Sequence, residues 1–151
     1  MFQRLRPVLP ALGLMVALAG VAYAQALETL SIVTQGGQRQ GFQVEVARND
    51  ADRAQGLMYR RSMAPERGML FDFGRVEPVS MWMQNTYLSL DMLFIRPDGT
   101  IARIAANTEP LSTRTIPSGE PVLAVLELNA GTAAKLGIKP GDRVDHSIFK
   151  R

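Results

Sequence analysis

Asp91 and Glu127 are the side chains whose types and setting point most directly to chemistry. Leu90, Met92 and Phe94 alternate around Asp91, which therefore shares its strand face with Leu93 and Ile95. Glu127 shares its face with Leu123 and Val125. A carboxylate among apolar neighbours is costly unless paired or hydrogen-bonded, and burial raises its pKa. Two such groups can act as general acid and base, and at roughly 5–10 Å apart they could flank a glycosidic bond. Asn85 and Thr86 add an amide and a hydroxyl just upstream of Asp91. All four also have a structural use: carboxylates fasten loops by accepting backbone N–H bonds, and Asn85-Thr86 suits an Asx-type turn. Scaffolding is the first expectation, because structural networks also hold carboxylates in such places.

Trp82, the one tryptophan, could be a stacking platform for a sugar ring, with Gln84, Asn85 and Asp91 as polar contacts. Its ordinary alternative is a core residue whose indole N–H finds one acceptor. Met81 and Met83 fall on one face of their strand around Trp82, and thioethers are soft ligands suited to Cu(I). Core filling is the commoner use of methionine, and nothing places the single histidine, His146, beside those sulfurs. Tyr59 with Arg60 and Arg61 reads as a solvated helix end. Asp98 belongs to a β-turn. Gly137 to Asp142 holds two glycines without the phosphate-loop spacing, so it too reads as a turn.

Composition narrows the classes further. The 151 residues are 46% hydrophobic and 21% charged, as in an ordinary folded protein, so global disorder is excluded. Without cysteine there is no disulfide, thiolate zinc site, thiol nucleophile or lipid-modified N-terminal cysteine. One histidine leaves no room for a histidine-rich metal site, and no cofactor is expected.

The N-terminus reads as an address. Arg4 and Arg6 precede residues 7–27, which carry no charge, and Ala22-Tyr23-Ala24 places small residues where a signal peptidase reads. The expectation is a secretory signal at residues 1–24, cleaved after Ala24, and one domain over 25–151. A retained anchor is the alternative, since 21 uncharged residues could span a bilayer. The membrane then enters only through an uncleaved signal. Cleavage removes two positive charges and leaves 15 basic against 14 acidic residues. No run of Lys and Arg interleaved with aromatics survives, so nucleic acid is not an expected partner. An exported chain without cysteines suits the periplasm or the outside of a bacterial cell. A monomer is expected.

The elements that must position these residues are mostly strands. Residues 30–34 and 42–47 flank the turn 35–38; Phe42, Val44 and Val46 alternate with Gln43 and Glu45. Asn49 or Asp50 can cap a helix of two turns at most, ended early by Gly56. Strands are expected at 69–73, 79–84, 88–95, 100–105, 121–128 and 144–149. A hairpin turn falls at Pro97-Asp98-Gly99, one or two helical turns at 131–136, and the longest loop at 107–120. The apolar residues on both faces of 121–128 mark a central buried strand. The expectation is a mainly β protein: a β-sandwich or partly open barrel of seven to nine short strands with one or two short helices. No helical stretch is long enough for a doubly wound fold.

The blocks GLMYRRSMAPERGMLFDF (56–73), MWMQNTYLSLDMLFI (81–95), VLELNAG (125–131) and GIKPGD (137–142) occur in a recognisable order. Their sequence resembles the bacterial and archaeal family called domain of unknown function 192, over roughly residues 30–151. Trp82-Met83, Asn85-Thr86, Leu90-Asp91-Met92, Phe94, Glu127-Leu128 and Gly131 match its signature positions. Gln84 stands where lysine is frequent, which weakens any role needing a cation there. The resemblance implies a compact all-β sandwich, often exported, and implies no activity. Three functional classes follow from the residues. The first is a small exported binding or accessory domain, with a pocket at Trp82, Asn85, Thr86, Asp91 and Glu127 for a glycan, small polar ligand or protein partner. The second is a hydrolase using Asp91 and Glu127. The third is a soft-metal binder built on Met81 and Met83.

Overall fold

A computed structural model describes residues 25–150; the expected signal at 1–24 lies outside the described residues. Seven strands form one sheet: β1 (Glu28–Val33), β2 (Arg39–Ala47), β3 (Arg67–Met81), β4 (Leu90–Ile95), β5 (Ile101–Ala105), β6 (Ile116–Asn129) and β7 (Arg143–Asp145). Two short helices join them, α1 (Asp50–Gln55) and α2 (Thr132–Leu136), and a 3₁₀ turn, Ser147–Lys150, follows β7. The order across the sheet is β5-β4-β6-β3-β2-β1-β7.

The sheet curls until its two edges meet. Thr100 bridges Arg143, Ile101 N–H donates to the Asp142 carbonyl at 2.8 Å, and Val144 N–H donates to the Gly99 carbonyl at 2.8 Å. Closure of this kind satisfies edge groups that would otherwise template aggregation. It also explains Gly99: its φ is +87°, and a Cβ there would lie 2.6 Å from the Val144 carbonyl oxygen. The mainly β reading therefore holds, with the partly open barrel as its form.

Two apolar cores lie on the two sides of this sheet. Leu30, Ile32, Phe42, Val44, Leu70, Leu93, Leu126 and Val144 fill the inside of the curl. Met69, Phe71, Leu90, Met92, Phe94 and Val125 form a second core on the outer face, covered by Leu57 after α1 and by Met83 after β3. Every residue of β4 is buried, as a strand between two cores requires.

Several boundaries differ from expectation. The segments expected as strands 69–73 and 79–84 are one long strand, β3, with register shifts between Asp72 and Glu77 and between Pro78 and Ser80. Gly74 takes φ +70° within that irregularity, so it bends the strand and does not end it. β6 begins at Ile116, five residues early, because it pairs with the far half of β3. The last strand stops at Asp145. β2 and β3 are parallel, so one crossover is made through the short α1 and its flanking loops.

Candidate functional site

Glu127 lies in the middle of a row that crosses the sheet. In register, Glu45 on β2 stands beside Met69 on β3, Met69 beside Glu127 on β6, and Glu127 beside Met92 on β4. Residues paired this way share a face, so the carboxyl rises from the outer face between two methionines. It is 4% exposed. Among the described residues no donor reaches it, and desolvation alone pushes its pKa up to about 8. No side-chain oxygen or nitrogen of the described residues is both sealed and unpartnered, so this carboxyl keeps its opening to a cavity.

That cavity has a volume of about 230 Å³. Glu127 and Phe71 are at its base, Met58 and Phe73 on its sides, and Trp82, 49% exposed, at its rim. Thr86 also lines it, its hydroxyl donating to the Gln84 carbonyl at 3.1 Å.

The wall supplied by α1 is fastened by polar contacts, because no residue of that helix is buried. Asn49 caps it, its side-chain oxygen accepting Asp52 N–H at 2.8 Å. Arg53 reaches from the helix to the Arg48 and Asp72 carbonyls, both at 2.8 Å, and lies 5.6 Å over the Phe73 ring. Gly56 then turns the chain with φ +49°, and a Cβ there would meet Phe71 Cζ at 3.1 Å. Helix, turn and the buried Leu57 thus hold Met58 against the opening.

Three of the five expected ligand-binding residues, Trp82, Thr86 and Glu127, share this cavity. Asp91 does not. It is fully buried on the inner face, and its two oxygens accept Asn107 N–H and Ala133 N–H, each at 2.9 Å. Ala133 is in the first turn of α2, whose N-cap Gly131 has no side chain to offer, so Asp91 caps that helix from a distant strand. Asp91 and Glu127 therefore point to opposite sides of the sheet, and the expected carboxylate pair is not assembled in one cleft. Asn85 forms a turn at φ +54°, its carbonyl accepting Tyr59 N–H at 2.8 Å.

The methionines also separate. Met81 lines the cavity, whereas Met83 is buried against Thr108, whose hydroxyl oxygen is 3.2 Å from its sulfur. His146 is elsewhere: buried, with Nε2 3.2 Å from Glu28, and its pKa is pushed down by desolvation against that carboxylate's pull.

Phe71, Phe73 and Arg53 carry no mark of a site in the sequence, and Met58 stands there only as one methionine among several. The apolar pair Leu57-Met58 directly after a short polar helix was the available signal. The aromatic walls were hidden inside an ordinary strand pattern.

The comparisons agree with this fold. The family model of domain of unknown function 192, described as "Uncharacterized ACR", matches residues 31–146. A crystal structure from Sinorhizobium meliloti 1021, provisionally described as a transcription regulator, is 54% identical; the match covers 83% of this chain and 97% of that one with a TM-score of 0.81. A protein of unknown function from Novosphingobium aromaticivorans DSM 12444 is 38% identical, over 83% of this chain and 89% of that one, with a TM-score of 0.79. No curated protein matches the chain. With its family blocks in order and the model matched across almost the whole described sheet, the chain belongs to the family of domain of unknown function 192.

Proposed function

We propose that this protein is a small exported bacterial binding domain that takes a small molecule into the cavity over Glu127. The observation that carries the reading is a buried carboxyl without a partner among the described residues, opening into an apolar cavity beside a half-exposed tryptophan. Burying such a group costs stability, and a ligand able to satisfy it recovers that cost. A cavity of roughly 150 Å³ is enough for benzene, so about 230 Å³ suits one ring with a short arm.

Binding is better supported than hydrolysis, because glycosidic cleavage uses two facing carboxyl groups and the cavity offers one. A Cu(I) role would need several soft donors on one point, and Met81 and Met83 line different cavities. The S. meliloti relative raises transcription control as a reading. Against it, the α-helices of the described residues have six and five residues, shorter than a groove-reading helix, and seven arginines there are in ion pairs with carboxylates.

Trp82 is the chain's one tryptophan, so its fluorescence reports the cavity rim. Titration with benzyl alcohol, benzamide and benzylamine at millimolar concentration is expected to give a saturable emission change. Ala54→Phe, at an exposed position of the mouth, is expected to abolish it. The reading fails if no probe saturates, or if Ala54→Phe leaves every titration unchanged.

A further inference from the structure

We infer that the ligand is an organic cation: an amine or ammonium whose apolar body fills the cavity and whose charged head pairs with Glu127. This rests on the cavity being a binding site and goes on to name the chemical class it takes. Only Arg53 and Glu127 are charged among the residues that line it. Arg53 is already committed, to the Arg48 and Asp72 carbonyls and to Asp50, so it has little left to offer an anion. An anionic ligand would meet the carboxyl with no cation to offset it. A neutral ligand would gain one ordinary hydrogen bond. An ammonium gains a charge-assisted bond at a place shielded from water, and such bonds are roughly twice as strong.

The walls favour the same class. Phe71 and Trp82 provide aromatic surfaces and Met58 and Met81 further apolar lining, while Phe73 already carries the Arg53 guanidinium over its ring. A cation against aromatic faces is stabilised by their quadrupoles, more strongly when desolvated. The surroundings leave Glu127 free to take that role. From β3 and β4 its neighbours in the row are Met69 and Met92, neither charged. From α1 the charged neighbour is Arg53. One strand further out, Glu45 is bound by Arg60, and Arg67 stands with them in the adjoining groove. The segment after β3 presents Trp82 and Thr86. Among the described residues no cation is bonded to Glu127, and Arg53, the one charged side chain beside it in the cavity lining, is held by Asp50 and two backbone carbonyls.

Pairing has a chemical signature, because an acid that is protonated when empty must release its proton to pair with a cation. The test compares 2-phenylethylamine with its neutral analogue 2-phenylethanol, on wild type and Glu127→Gln, by Trp82 fluorescence and by calorimetry in two buffers of different ionisation enthalpy. The amine is expected to bind wild type at least tenfold more tightly than the alcohol near pH 8.5. Close to one proton should be released at pH 7, and markedly fewer near pH 9. Glu127→Gln should weaken the amine at least tenfold and the alcohol less than twofold. If the alcohol binds as well as the amine, or Glu127→Gln weakens both equally, the cation assignment is wrong while the binding cavity stands. If neither compound binds wild type, both readings fall together.

Discussion

Replacing Glu127 with glutamine should make the protein more stable, and increasingly so as pH rises. The native carboxyl titrates near 8 because it is buried without a partner, whereas in the unfolded chain it titrates near the ordinary 4.5. Below 4.5 both states carry the proton and the group is neutral to stability. Between 4.5 and 8 the unfolded chain ionises while the native carboxyl does not, so stability is lost with rising pH. Each pH unit costs about 1.4 kcal/mol, which makes the loss about 3 kcal/mol at pH 7 and about 5 kcal/mol by pH 9. Glutamine has nearly the same shape and cannot ionise, so the variant keeps what the wild type loses. The assay is urea unfolding of wild type and Glu127→Gln at pH 5, 6, 7, 8 and 9, taking the difference at each pH so that all shared groups cancel. The difference should be small at pH 5 and grow through pH 8. Two parallel curves would falsify the argument, since they would mean that Glu127 has the same proton affinity folded and unfolded.

Three further outcomes follow from other parts of the fold. Asp91→Asn removes one of two acceptors that hold Asn107 and Ala133 and sets a donor against a backbone N–H. It should cost about 2–3 kcal/mol in urea unfolding while leaving amine affinity at the cavity within twofold. Gly99→Ala strains a +87° φ and drives a methyl against the Val144 carbonyl at the closing edge. A loss of about 2 kcal/mol or more is expected, with faster hydrogen exchange at Ile101 and Val144. His146 has its pKa lowered by burial, so its contribution is complete above 6.5 and declines as pH falls through 6.5 toward the native value. In a Glu127→Gln background, stability should therefore fall as pH drops through 6.5, and His146→Gln should flatten that slope.

Local pattern by itself carried the strand content, the helix cap at Asn49, the hairpin at Pro97-Asp98-Gly99, and the central strand at 121–128, buried but for Pro121 and Leu123. Alternation and turn chemistry act within a few residues, so they are legible without a fold. The same alternation placed Asp91 with Leu93 and Ile95, and Glu127 with Val125, as the sheet has them; Leu123 drops out of that row, because the register shift opposite it brings Val122 into the outer core instead. It could not say how those faces relate, because the inside and the outside of the curl are defined only when β4 pairs with β6 in one register. That register, with Met92 beside Glu127, puts the two carboxyl groups on opposite sides. Nor could local pattern distinguish a fastened carboxylate from an unpartnered one. The partners of Asp91 come from residues 16 and 42 positions away, and the emptiness around Glu127 is made by β3, α1 and the chain after Met81 together. Joining β3 into one strand and closing the edges at Thr100 and Arg143 were likewise tertiary decisions. A backbone group on an edge or at a bulge takes whichever distant partner the curl brings to it, and no short window of sequence contains that partner.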